Sequence, residues 1–135
     1  MITNRVELLE ICEKLKFVKD CIIHEQTFYF YMWKGILDKT IFTYASYNDK
    51  KMTGCVVFYL ARDLKDTILT LIFIWLDSKY PKLREEYMKF ACEKAKELGA
   101  NKLQVNTGRN PKTIERILGK YGFVQKYVIF EKEVK

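Results

Sequence analysis

Histidine is almost missing from this chain: His24 is the one imidazole in 135 residues. That argues against histidine-rich metal sites and Ser-His-Asp triads, both of which need imidazole at the reacting centre. Proline and glycine are scarce as well, with two and six residues, so linkers and low-complexity segments are not expected. The four cysteines, Cys12, Cys21, Cys55 and Cys92, have no C-x-x-C spacing, and no signal-peptide pattern is recognisable. A reducing, cytoplasmic setting is the expectation, with Cys55 and Cys92 as core residues in apolar patterns. Long hydrophobic runs are also lacking. The nine residues from Ile68 to Leu76 fall far short of the ~20 needed to span a bilayer, so no membrane association is expected.

What is present fits one globular domain over residues 1–135, long enough to bury a core. Hydrophobic residues make up 49% and charged residues 30%. Aromatics reach 15% and gather in two clusters, Phe28 to Trp33 and Phe42 to Tyr47. The net charge of +7, with a pI near 9.2, favours polyanionic partners. Many lysines stand beside glutamates, however, which is also the pattern of a solvated basic surface.

The stretch Thr67 to Gly99 organises the rest. Ile68 to Leu76 is apolar at every place but Thr70, the pattern of a strand buried on both faces. Phe73 and Trp75 are expected on one face of it and Ile72 and Ile74 on the other. After Asp77-Ser78-Lys79-Tyr80, Pro81 suits the first turn of a helix. Leu83, Tyr87, Phe90, Ala91, Ala95 and Leu98 recur along one helical face. Glu85 and Lys89 form an i,i+4 pair, and Gly99 supplies a left-handed C-terminal cap.

Before this stretch, Asn4 and Glu7 resemble a capping box, and residues 5 to about 18 read as a first helix. Residues 21–38 read as a helix or an irregular lid. Thr40 to Tyr47 and Met52 to Arg62 are strand-like, and the short turns at Asn48–Lys51 and Asp63–Asp66 predict an antiparallel meander. After Gly99, Lys102 to Thr107 reads as a short strand running parallel beside Ile68–Leu76. Asn110-Pro111 opens a helix whose face is Ile114, Ile117, Leu118 and Tyr121. Gly122 stops it, and Lys126 to Val134 reads as a final strand.

This order resembles the GNAT N-acetyltransferase superfamily over roughly Thr40 to Val134. The residues that carry the resemblance are Gly54 inside the second meander strand, the strand-loop-helix at 67–99, and E-L-G-A at Glu97–Ala100. Asn110 after a short strand and Y-G-F at Tyr121–Phe123 complete it. The resemblance implies an α+β fold layered α/β/α: a mixed central sheet, an antiparallel meander followed by β-α-β-α-β, with splayed central strands. It implies acetyl-CoA wedged into the splay, its pantetheine along the strand ending in Ile74 and Leu76 and its pyrophosphate on the next loop.

The family loop is Arg or Gln, two residues, Gly, one residue, then Gly or Ala. Here that loop falls on Lys79-Tyr80-Pro81-Lys82-Leu83-Arg84. Lys82 and Arg84 stand where glycines would let the backbone approach phosphate, and Pro81 has no N–H to offer. Charge on Lys79, Lys82 and Arg84 can bind phosphate instead. The resemblance thus nominates Ile74, Leu76, Lys79, Lys82, Leu83, Arg84 and Asn110 for acetyl-CoA. Leu118 occupies the place of the family's catalytic tyrosine. Tyr121, one turn on, is the substitute candidate, with core packing as its other reading. The central strand carries no glutamate to act as base, which leaves Glu25, Asp38 and Asp77.

Two functions follow. One is an acyl-CoA-dependent N-acyltransferase whose amine acceptor lies against Phe28–Trp33. The other is a catalytically silent GNAT-like domain that binds a protein partner or a second copy through its aromatics. Nucleic-acid binding is disfavoured, since the interleaved aromatic-basic pattern of such modules is missing.

Overall fold

The computed structural model describes residues 2–3, 10, 25–105, 111–126 and 130–134. The described strands form one sheet in the order β1 (Ile2–Thr3), β2 (Ile41–Asn48), β3 (Lys51–Arg62), β4 (Thr67–Leu76) and β5 (Lys102–Val105). The first three pairings are antiparallel and β4–β5 is parallel. The expected meander and the parallel pair are therefore present, with Ile68–Leu76 interior to the sheet. Three described helices accompany them: α1 (Glu25–Leu37), α2 (Leu83–Glu97) and α3 (Pro111–Gly119). The chain is a mixed α+β structure with helices over both sheet faces.

The hydrophobic core divides accordingly. On one face, α2 lays Leu83, Tyr87, Met88, Ala91 and Ala95 against Tyr44, Val56, Phe58, Leu69 and Leu71. On the other, Met32 of α1 meets Ala45, Met52, Cys55 and Val57. Val56 and Phe58 alternate with Cys55 and Val57 because successive side chains leave a strand on opposite sides. β3 is therefore buried on both. Gly35 lets α1 sit close to the sheet, for a Cβ there would fall on the Ile41 side chain.

Two β-bulges break the alternation. β4 carries one extra residue between the pairs Leu71↔Phe58 and Phe73↔Val57. Ile72 consequently joins Phe73 and Trp75 on the α1 side, while Ile74 and Leu76 face α2. This corrects the simple period-2 expectation for Ile72. The described β4–β5 ladder ends at Leu71↔Val105, immediately before the bulge, and a bulge bends and twists its strand. β3 carries the second extra residue, Thr53, between Ser46↔Gly54 and Tyr47↔Met52.

Both glycine stops work as expected. Gly99 has φ +75°, and Gly99 N–H and Ala100 N–H donate to Lys96 O and Ala95 O at 3.1 and 2.8 Å. Gly122 has φ +84°, and Gly122 and Phe123 repeat the pattern onto Gly119 O and Leu118 O at 3.1 and 3.3 Å. These are Schellman closures, in which a left-handed glycine returns two N–H groups to the last helical carbonyls.

Other expectations are corrected. α2 begins at Leu83, so Pro81 lies in the preceding turn instead of the helix. Cys92 is exposed, because it sits one residue, about 100° of helix, beyond the buried Ala91. The ion pair on α2 among the described residues is Lys94–Glu97 at 3.0 Å; Glu85 and Lys89 are both exposed. The short β1 was not anticipated. Of the expected final strand Lys126–Val134, residues 127–129 lie outside the described residues, and the described Lys126 and 130–134 form no strand, with Phe130 and Val134 more than nine-tenths exposed. The first-helix expectation lies outside the described residues apart from Glu10, as do Asn4, Cys12, Cys21, His24, Asn110 and the last two residues of Lys102–Thr107.

Candidate functional site

The site begins where β4 stops. Asp77 N–H donates to Thr53 O at 2.8 Å, extending the β3 ladder by one bond, and the chain then turns. Asp77 Oδ1 accepts Lys79 N–H at 3.0 Å, and Tyr80 N–H returns to Asp77 O at 3.1 Å. This is an Asx turn, the usual use of an aspartate that must reverse the chain locally. Asn48 Nδ2 donates to Tyr80 Oη at 2.9 Å, tying the turn to the β2–β3 hairpin.

The start of α2 has a specific accounting of N–H groups. Leu83 N–H donates to Tyr80 O at 3.1 Å and Glu86 N–H to Lys82 O at 3.3 Å. The N–H groups of Lys82, Arg84 and Glu85 have no backbone acceptor among the described residues. Lys82 is the N-cap, yet its side chain makes no capping bond. A helix start with uncapped donors and partial positive charge favours an anion. Lys79, Lys82 and Arg84 are all exposed around it. Three of the sequence-nominated residues are thus brought together as cations on one turn. Leu83 differs: it is 7% exposed and belongs to the core, and its N–H is already used. Ile74 and Leu76 are partly buried on the α2 side of the strand that feeds the turn.

Beneath the turn lies a cluster that sequence reading missed. Tyr87 O–H donates to Ser46 Oγ at 2.9 Å, and Ser46 Oγ lies 2.9 Å from Thr53 Oγ1. The three residues are 1%, 4% and 5% exposed. Burial pushes the Tyr87 phenol well above the ordinary tyrosine value, although its bond to Ser46 works in the opposite sense. Gly54 makes room for it, since a Cβ there would stand 3.1 Å from the Tyr87 ring and 3.0 Å from Leu76. The available signal was a pair of hydroxyls, Ser46 and Thr53, inside otherwise apolar strands.

Tyr121 is partly buried and packs against the α2-side core beside Phe123. Leu118 is also partly buried. Asp38 is exposed at the end of α1, and Asp77 is half-buried at the site. On α1, Phe30, Tyr31, Trp33 and Leu37 are each more than half exposed. Phe30, Trp33 and Leu37 form a stripe at i, i+3 and i+7 on the side away from Met32. Among the described residues no cluster of His, Cys, Asp and Glu could hold a metal ion, and no helix is long and apolar enough to cross a membrane.

No protein-family model and no curated protein matches the sequence. Solved structures do match, along nearly the whole chain. A transcriptional regulator from Bacillus halodurans C-125 superposes with a TM-score of 0.76 at 15% identity, covering 99% of each chain. The ribosomal-protein-alanine N-acetyltransferase of Brucella melitensis biovar Abortus 2308 gives 0.73 at 12%, covering 99% of this chain and 98% of its own. AAC(6')-Iy, in complex with the bisubstrate analogue CoA-S-monomethyl-acetylneamine, gives 0.77 at 10%, with 100% and 97% covered. The chain has the GNAT N-acetyltransferase fold.

Proposed function

We propose that this GNAT-fold chain transfers an acetyl group from acetyl-CoA to an amine. The observation that carries the reading is the run from β4 into α2. A strand whose described parallel ladder ends at Leu71 leads to a turn followed by three N–H groups with no backbone acceptor among the described residues and flanked by three exposed cations. Amide donors at a helix start and charge-assisted side-chain contacts are two established ways to hold phosphate. Lys79, Lys82 and Arg84 take the pyrophosphate in this reading, Ile74 and Leu76 present the strand that pantetheine follows, and Asn110 belongs to the same set.

Acetyl-CoA supplies an activated thioester. The amine nitrogen attacks its carbonyl carbon, the C–S bond breaks, and a proton leaves the nitrogen as the thiolate gains one. The chain's contribution is chiefly to hold both reactants in line, which by itself accounts for much of the acceleration in such transfers. Asp77, at the mouth of the turn, is the nearest of the candidate bases to the proposed phosphate site along the chain; Asp38 and Glu25 lie at the two ends of α1. Tyr121 is the substitute candidate for proton donor to the thiolate, against its other role as a residue packed on the α2-side core. In this reading the amine acceptor lies against the α1 aromatics.

The exposed stripe Phe30, Trp33 and Leu37, together with Pro81, Lys82 and Arg84 in the family's glycine-loop positions, favours a second reading: a silent domain that binds a protein partner or a second copy. Titration calorimetry with millimolar acetyl-CoA at low salt separates the two. Binding by the unaltered chain, together with acetylation of a panel of primary amines, supports the transferase. Absence of binding, with recovery in Lys82→Gly/Arg84→Gly, would show that the native loop blocks the site and would hand the function to the silent domain.

A further inference from the structure

We infer that Tyr87 is a positioning residue for the phosphate-binding turn, acting through Ser46 and Thr53. The inference rests on the acyl-CoA reading of that turn and adds a residue outside it. Tyr87 stands on the second turn of α2, just past the three N–H groups in question. Its O–H reaches across to Ser46 on β2, and Ser46 is bonded to Thr53, the extra residue of the β3 bulge. The carbonyl of that same Thr53 accepts Asp77 N–H, the first bond of the turn. A continuous route therefore joins the beginning of α2 to the beginning of the turn, passing beneath it instead of through it.

The geometry makes this route stiff. All three side chains are almost fully buried, and hydroxyl networks away from water are strengthened by the low local dielectric and costly to leave incomplete. The extra residue of a bulge lacks a direct partner across the bulged pair, here β2–β3. Here the hydroxyl chain supplies the missing restraint. Glycine at 54 suits the arrangement, since a Cβ there would press on the Tyr87 ring at 3.1 Å. With the bulge pinned, Thr53 O is fixed, and with it the path of Asp77 to Lys82 and the direction of the N–H groups at the helix start.

Tyr87→Phe is the test, since it removes the hydroxyl and keeps the ring. The expected result is a tenfold or greater rise in KM and Kd for acetyl-CoA, with kcat within about twofold. Activity toward S-acetylpantetheine, which lacks the pyrophosphate, should be unchanged. Thr53→Val should behave like Tyr87→Phe, while Thr53→Ser, which retains the hydroxyl, should behave like the unaltered chain. Equal losses with both thioesters would overturn the inference, since the hydroxyl would then serve general stability alone. No loss with either would overturn it too. If the unaltered chain binds no acetyl-CoA, the functional reading fails, and the positioning claim is decided separately by amide hydrogen exchange. Faster exchange at the hydrogen-bonded amides of the turn, Asp77, Tyr80 and Leu83, in folded Tyr87→Phe sustains it, and unchanged exchange removes it.

Discussion

Ile72 and Phe73 are adjacent on β4, yet both pack against the α1-side core, because β4 holds one residue more than β3 between Leu71 and Phe73. That single residue reverses which side chains of the last β4 segment face α2. It puts Leu76 over Gly54 and next to Tyr87, and leaves Trp75 on the opposite side with Phe73. The bulge thus sets the orientation of the strand end that leads into the candidate site.

Core deletions should follow burial more closely than residue type. Phe58 is fully buried beneath α2, so Phe58→Ala should cost about 3–5 kcal/mol. Ile72, only partly buried, should cost about 2 kcal/mol, at the low end of the range for isoleucine truncation. Urea unfolding of both variants measures this. A larger loss at Ile72 than at Phe58 would contradict the described packing.

Gly35 offers a test in which two effects oppose each other. Alanine in a helix gains up to about 1 kcal/mol over glycine by propensity. At Gly35 the added methyl meets Ile41, and overpacking costs about 1–3 kcal/mol. Gly35→Ala should therefore destabilise, whereas Gly119→Ala, with nothing within 4 Å of its Cβ, should be neutral or stabilising. Thermal unfolding of the pair reads the sign directly.

The acid side of the stability curve should depend on Asp66. Its carboxylate is held below the ordinary value first by Lys102, whose Nζ lies 2.7 Å away, and next by the Asn101 amide. A lowered folded-state pKa means that the contribution is present above the unfolded aspartate value, about 3.9, and disappears as pH falls through the folded one. Asp66→Asn should lower Tm at pH 7 and flatten the fall of Tm below pH 4. Parallel curves for the two proteins would remove Asp66 from the account.

Acetyl-CoA binding through Lys79, Lys82 and Arg84 should weaken as ionic strength rises, because exposed charge contacts are screened within roughly 10 Å at 0.1 M salt. Lys82→Ala/Arg84→Ala should weaken it tenfold or more, about 1.4 kcal/mol. Affinity that is indifferent to salt would mean that the backbone donors act without the side chains.

Tyr121 packs on the core, and Tyr121→Phe should leave kcat within about threefold. A fall of tenfold or more with unchanged stability would make the phenol the proton donor to the leaving thiolate.

By itself the sequence determined the elements whose signals are local. The apolar run at Ile68–Leu76, the helix after it, the glycine stops at Gly99 and Gly122 and the two tight turns depend on periodicity and backbone torsion. Neighbouring residues specify both. The order of those elements then implied the meander and the parallel pair, because short turns force antiparallel neighbours and a helix allows a crossover. Tertiary structure alone decided the rest. The bulges at Ile72 and Thr53 arise from the pairing of two strands, so no single strand announces them. The Tyr87–Ser46–Thr53 cluster joins residues up to 41 positions apart. Which N–H groups at the start of α2 lack acceptors depends on where the turn folds back. The aromatic run at 28–33 divides between Met32 inside and Phe30, Tyr31 and Trp33 outside because a helix in contact with a sheet buries only the face it presents.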